Sequence, residues 1–263
     1  MENHPFFTIL TASLNKGSTL RKTLESIKNQ SFQDLEHIVI DGGSHDETLN
    51  ILKEYNNTYN LTWISKSDLG IADALNKGIH QARGRYILVL HADDQLLTPE
   101  ILKSVYLILK SERFDIYSFP VLKDYPDKGK VLYKPVRILW WYHFKTIFPH
   151  QGAFVHHRLF ARTGGFRKEF TIALDYDFFY RGLQTGARIK FEKQPVALMG
   201  GAGISSNPRL LVRRLQEEFH VQKLNERNPF WQIAQFIFRA VYFPYKARFL
   251  PKLTKRSEEG KYR

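Results

Sequence analysis

With 263 residues, 43% of them hydrophobic, the chain is long enough for one α/β domain with additions around a sizeable core. It has no cysteine, which excludes a disulfide framework and thiolate chemistry and agrees with a reducing cytoplasm. Its formal net charge of +13 points to an anionic partner, and thirteen Lys and Arg against five acids fall between Arg209 and Arg263.

The N-terminus, Met1-Glu2-Asn3-His4-Pro5, has no basic and apolar leader, so no secretory signal is expected. No uncharged apolar run approaches the ~18 residues of a spanning helix. Phe6–Ala12 reads as a first strand, followed by a turn, Ser13-Leu14-Asn15-Lys16-Gly17. A helix over Ser18–Gln30 places Leu20, Leu24 and Ile27 on one face. Glu36–Ile40 is a second strand that ends in Asp41-Gly42-Gly43-Ser44-His45-Asp46, and a helix follows over Glu47–Tyr55. Leu61–Ser65 is a third strand, and a loop through Asp68 and Gly70 leads to a helix over Ile71–Ala82. Four aliphatic residues, Ile87 to Leu90, form a strand buried on both faces and run into His91-Ala92-Asp93-Asp94. Thr98-Pro99-Glu100 is a helix start. This alternation with short connections predicts right-handed βαβ units and a mostly parallel sheet with helices on both faces.

Beyond the helix at Pro99–Ser111 the pattern changes. Asp115–Leu122 is strand-like, and Asp124–Lys130 is a charged turn. The aromatic run Trp140-Trp141-Tyr142 precedes Pro149-His150-Gln151-Gly152. Phe170–Leu183 reads as a helix carrying Asp175 and Asp177, and Pro195–Met199 is a last strand before Gly200-Gly201-Ala202-Gly203. From Asn207 onward the chain is helical, basic and aromatic. No internal repeat or long linker divides it, so one catalytic domain (1–206) with a C-terminal helical appendage (207–263) is expected.

The candidate chemistry lies at strand ends, where open α/β sheets bind ligands. Asp93 and Asp94 repel each other unless a proton or cation sits between them, and a divalent metal with oxygen ligands fits. His91 is either a ligand or a strand-end residue. Asp41 is either a ligand contact, approached past Gly42, or a cap for the following helix; Asp46 reads as such a cap. Asp175 and Asp177, two residues apart on a helix, face different ways. One can serve as a general base while the other is solvated or paired with Arg181 or Lys168. His150, with Gln151, is a substrate contact or a structural histidine, and Gly200 and Gly201 belong to a lid or a plain loop.

The order of these segments is more specific than any one of them. TASLN after the first strand, DGGSHDET after the second, SDLGIADALNKG, HADD, HQGAF and LDYD together resemble the family 2 inverting glycosyltransferases of GT-A fold. The likeness runs from Phe6 to Ser205 and is strongest to the bacterial branch that builds capsule, O-antigen and exopolysaccharide units. It implies a nucleotide-sugar half (about 1–98) and an acceptor half (99–206). Thr11, Ala12, Ser13 and Asn15 would line the nucleotide pocket, and Asp41 with Gly42 would meet the base, usually uracil. Asp68, Gly70, Asp73 and Asn76 would face the ribose and diphosphate. The DXD motif falls on His91-Ala92-Asp93, with His91 in place of the first acid, Asp93 as the metal ligand and Asp94 in support. The family's base matches Asp175, with Asp177 as its rival. The resemblance implies Mn2+ or Mg2+ and a hexosyl or N-acetylhexosaminyl donor linked to UDP. It also implies a glycan or polyprenyl-diphosphate-linked acceptor and a single inverting displacement. Two other readings are a basic nucleic-acid-binding protein and a metal-dependent nucleotidyltransferase. No nucleic-acid motif is present and the charge sits in the tail, so no nucleic acid is expected.

In the tail, Asn228–Phe243 places Gln232, Gln235 and Arg239 on one narrow stripe and Phe, Trp, Ile, Val and Tyr elsewhere. Pro244 is expected to interrupt this helix before Lys246, Arg248, Lys252, Lys255 and Arg256. The pattern suggests a helix in the plane of an anionic membrane surface, peripheral on the cytoplasmic face of the inner membrane. The other reading is an ordinary helix covering the core. Trp140-Trp141-Tyr142 is a second contact or core.

Overall fold

The computed structural model describes residues 4–111, 113–125, 129–200 and 207–259. The first half alternates as the periodicity predicts: β1 (Phe7–Ser13), α1 (Gly17–Lys28), β2 (Leu35–Asp41), α2 (Thr48–Tyr55), β3 (Leu61–Ser65), α3 (Ile71–Gln81) and β4 (Tyr86–Val89). β2 and β4 flank β1, β3 adds outside β2, and all four run parallel. Every residue of β2 and β4 is buried, and the unbroken apolar run of β4 reflects cover on both faces, whereas β2 also buries Glu36, His37 and Asp41.

The second half departs from the simple reading. Between β4 and α4 (Ile101–Leu109) lies a two-residue strand, β5 (Gln95–Leu96). The expected strand over 115–122 is two strands, β6 (Ile116–Ser118) and β7 (Val121–Tyr125). Pro120 separates them; it has no N–H to give to a ladder, and the chain leaves one sheet there and enters another. β7 turns back into β8 (Gly129–Tyr133) as an antiparallel hairpin where a plain turn was expected. HQGAF continues into β9 (Ala153–His156), which lies antiparallel between β4 and β6, followed by α5 (His157–Thr163). Then come α6 (Leu174–Gln184), β10 (Ile189–Phe191), β11 (Ala197–Met199), α7 (Leu211–Asn225) and α8 (Pro229–Glu259). The main sheet has the order β10-β6-β9-β4-β1-β2-β3, and a smaller one the order β5-β11-β7-β8. Gly152 leaves no room for a side chain: a Cβ there would lie 2.2 Å from the Phe119 carbonyl oxygen, which fixes the turn that presents His150 and Gln151.

α8 continues through Pro244, where an interruption was expected. Proline removes one helical hydrogen bond, which costs least on an exposed helix such as this. The orientation of α8 is also informative. Of its polar stripe, Gln235 is buried, its amide donating to the His143 carbonyl (2.8 Å) and the Tyr180 hydroxyl (3.2 Å), while Gln232 is exposed and donates to the Glu226 carbonyl (3.0 Å). The Arg239 guanidinium lies 3.8 Å over the Phe219 ring. Phe230, Ile233, Phe236, Ile237 and Val241 face outward, each between 58% and 69% exposed. Trp140 stacks on Trp231 at the edge of this surface, while Trp141 and Tyr142 pack inward against Phe238 and Tyr180. No helix among the described residues is long and apolar enough to cross a membrane.

Candidate active site

The carboxyl ends of β1 and β4, the loop before α3, the turn before β9 and the start of α6 enclose a cavity of about 430 Å3. Its polar lining comes from Ser13, Lys16, Asp68, His91, Asp93, Asp94, His150, Gln151, Thr171 and Asp175.

The two adjacent aspartates are held differently. Asp94 is buried, its Oδ1 accepting from Gly200 N (2.9 Å) and its Oδ2 from His91 N (3.1 Å). Burial, with a smaller push from the Asp93 charge and against the pull of His150, raises its carboxyl to about 6. Asp93 reaches into the cavity with Lys16 Nζ 3.8 Å from Oδ2. Gly200 sits so close that a Cβ would be 2.8 Å from both the backbone oxygen and Oδ2 of Asp93. Gly201 lies outside the described residues.

Across the cavity, His150 Nδ1 is 3.4 Å from Asp175 Oδ2, and Tyr176 N donates to Asp175 Oδ1 (2.7 Å). Burial disfavours the charged form of His150, but the facing Asp175, Asp94 and Asp93 outweigh it and raise the imidazole above its usual value. Burial drives the His91 imidazole down to about 3, so it is neutral, with its ring 4.9 Å from that of His150. Ser13 Oγ, His91 Nδ1, His150 Nε2 and Gln151 Oε1 are buried with no hydrogen-bond partner. Four such atoms around one cavity mark where a polar ligand would bind.

Asp177 takes the opposite side of α6. It is fully buried and accepts from Arg167 (3.0 Å), Arg181 (2.9 Å) and Asn225 (2.9 Å). Lys168, the other expected partner, bonds Asp73 at 2.6 Å instead.

Several other expected residues lie behind the cavity wall. Thr11 donates to the Leu90 carbonyl (2.6 Å), tying β1 to the end of β4. Asn15, in the left-handed region at φ 51°, joins the turns after β1 and β2 by accepting from His45 N (2.9 Å). Asp41 Oδ2 accepts from Gly43 N, Ser44 N and Ser65 Oγ, and its Oδ1 accepts from Ser44 Oγ. Three of those bonds fall on Oδ2 and one on Oδ1, so Oδ1 is the oxygen that keeps an acceptor site. Gly42 abuts Asp68: a Cβ would be 2.7 Å from Asp68 Oδ2. Asp73 pairs with Lys77 and Lys168, which together hold its carboxyl well below the usual range. Asn76 clamps the backbone of Phe166 through both amide atoms, at 2.7 and 2.8 Å. Asp73 and Asn76 line a second, separate cavity, whereas Ala12, Asp68, Gly70 and Ala92 line the first.

Two features were not anticipated. Lys16 is an ordinary turn residue in the sequence, yet it is the cation beside Asp93. Glu217, from α7, caps α6: its Oε2 accepts from Thr171 N (3.0 Å), Ile172 N (2.7 Å) and Ala173 N (3.0 Å), just ahead of Asp175. Nothing local in the sequence links residues so far apart. Glu217→Ala leaves three N–H groups without their acceptor, and a loss of about 1–3 kcal/mol is expected from urea unfolding. Turnover should fall with nucleotide affinity unchanged; an unaltered turnover would show that the cap does not position Asp175.

Among the described residues no three His, Cys, Asp or Glu side chains converge as metal ligands. Asp93 nonetheless fits a hard cation of the Mg2+ or Mn2+ type, which takes one or two carboxylates and completes its shell from substrate phosphates and water.

A mostly parallel α/β sheet with carboxylates at its strand ends around one cavity is the arrangement of a GT-A transferase. The Glycosyl transferase family 2 model matches residues 8–174, and the chain belongs to that family: it is a glycosyltransferase. It is similar to the PGL/p-HBAD biosynthesis glycosyltransferase of Mycobacterium bovis, 31% identical over 178 residues, covering 66% of this chain and 68% of that protein. The cholesterol galactosyltransferase of Borreliella burgdorferi is 30% identical over 110 residues, covering 41% of this chain and 30% of that one. Among solved structures, S. aureus TarS in complex with UDP-GlcNAc superposes with a TM-score of 0.68 at 19% identity, over 84% of this chain and 67% of that one. The mannosyltransferase PcManGT from Pyrobaculum calidifontis, in complex with GDP-Man and Mn2+, gives 0.69 at 18%, over 97% and 75%.

Proposed function

We propose that the protein moves a sugar from a UDP-sugar to a hydroxyl of a glycan or polyprenyl-diphosphate-linked acceptor, with inversion, in bacterial cell-surface polysaccharide synthesis. The observation that carries this reading is that one cavity holds Asp93 with Lys16 and, facing them, Asp175 with His150. Lys16 lies where it would offset diphosphate charge, and Asp93 would hold Mn2+ or Mg2+. When bound, the cation stabilises the charge that gathers on the leaving diphosphate. Asp175 accepts the proton of the attacking hydroxyl, and His150 holds the Asp175 carboxylate in place. Inversion follows if the hydroxyl attacks from the face opposite the leaving group. The TarS complex with UDP-GlcNAc and the PcManGT complex with GDP-Man and Mn2+ support a nucleotide-sugar donor and a divalent ion. Asp41 organises the loop against which the base would rest, and Asp68 and Gly70 border the same cavity. A thermal-shift screen of UDP-, GDP- and dTDP-sugars with Mn2+ tests the donor. Stabilisation by UDP-sugars is expected, and a response confined to another nucleotide would overturn that assignment.

An anionic membrane surface is the partner we assign to the C-terminal segment, on the cytoplasmic face of the inner membrane. The support is an exposed apolar face on α8, made of Phe230, Ile233, Phe236, Ile237 and Val241, while Gln235 on the other side is buried. Sedimentation with phosphatidylglycerol vesicles should carry the protein down. Phe236→Ser with Ile237→Ser should leave it in the supernatant; co-sedimentation undiminished by that pair would remove the assignment.

A further inference from the structure

The polar groups of the catalytic cavity gather at the carboxyl end of the sheet, and away from them its walls are apolar, a change visible along three elements. On β4 and the turn after it the lining residues run from Asp93 and His91 back to Val89 and Ile87, with about 13 Å between Ile87 and His91 at the rise of a strand. β9 runs the other way and matches it, with Gln151 at the polar end and Val155 in register with Ile87. On α6, Asp175 is at the polar end, and Phe178 and Phe179 follow on the same face one turn on. The buried polar atoms without partners belong to Ser13, His91, His150 and Gln151 at the polar end, and none of the apolar-end residues adds one.

Resting on the donor site and the Asp175 base proposed above, and narrowing the acceptor, we infer that the glycan or lipid-linked acceptor carries an apolar group, an aryl ring or a short hydrocarbon segment, close to the hydroxyl it offers, and that this group fills the inner chamber. The diphosphate end of the donor belongs with Lys16 and Asp93, both at the polar end. The hydroxyl must come within hydrogen-bond reach of Asp175, so the group attached to it meets the neighbours of Asp175 on the same helix face, Phe178 and Phe179. A chamber walled by aliphatic and aromatic side chains gives water or a sugar hydroxyl no hydrogen-bond partner, whereas an apolar guest gains by leaving water. The 430 Å3 of the whole cavity is within the range of small-molecule sites, so the chamber takes a ring or a few methylenes and not a long lipid chain.

The test uses the full chain saturated with UDP and the diamagnetic Mg2+, with benzyl alcohol as the apolar probe and glucose and glycerol as polar ones, followed by ligand-observed NMR. Benzyl alcohol is expected to bind saturably, at least tenfold more tightly than either polar probe. Val155→Phe, which places a ring in the chamber, should weaken that binding at least tenfold without changing UDP affinity. Val155→Met serves the same purpose if the phenylalanine variant does not fold. No saturable binding, a preference for glucose, or binding unchanged in a folded Val155 variant would overturn the inference. Failure of UDP itself to bind would instead strike the donor-site reading.

Discussion

Asp175→Asn is expected to lower the rate of sugar transfer roughly a hundred- to ten-thousandfold, the usual contribution of a general base. The replacement keeps the shape of the side chain and its reach to His150, 3.4 Å away, but no longer takes a proton from the acceptor. Nucleotide affinity should persist, because Lys16 and Asp93 are on the facing wall. Melting temperature should change little, since the Asp175 side chain is 24% exposed and its side-chain partner among the described residues is the His150 imidazole at 3.4 Å. UDP release from a matched donor and acceptor, measured beside UDP binding, separates the outcomes. A variant with near-normal turnover would move the base elsewhere.

Asp177→Ala, two residues on, should behave in the opposite way. Its carboxylate is fully buried between Arg167 and Arg181 and also bonds Asn225 of α7. Removing it leaves the Arg181 guanidinium, with its side chain only 12% exposed, without its counter-charge. Breaking a buried pair from one side costs about 3–5 kcal/mol. Urea unfolding should therefore show a large fall in stability, while the protein that remains folded still binds UDP. A stability within about 0.5 kcal/mol of the parent, as for an ordinary surface substitution, would show that the cluster contributes nothing.

These contrasting expectations show what was readable from the chain. A spacing of two on a helix is enough to say that Asp175 and Asp177 face apart. Deciding which faces the cavity requires Arg167, Arg181 and Asn225, and Asn225 comes from a helix some fifty residues later. The βαβ half was legible because buried parallel strands read as unbroken apolar runs and each helix keeps one apolar face. The second half was not, because Pro120 divides one apparent strand between two sheets and β9 inserts antiparallel with only four residues. In the tail the polar stripe of Gln232, Gln235 and Arg239 was visible, but the burial of Gln235 depends on the buried His143–Glu226–Tyr180 cluster it meets. The Glu217 cap likewise makes 207–225 part of the support for Asp175.

We propose that Asp93, with a divalent cation and Lys16, receives the diphosphate of a sugar nucleotide. Calorimetric titration of UDP into the protein, with Mn2+ and then with excess chelator, tests it most directly when repeated on Asp93→Ala. The account predicts one UDP per chain with Mn2+. Chelation and the substitution should each weaken it at least tenfold, and chelation should have no further effect on the variant. Equal UDP affinity in the parent and Asp93→Ala, with or without Mn2+, would contradict it.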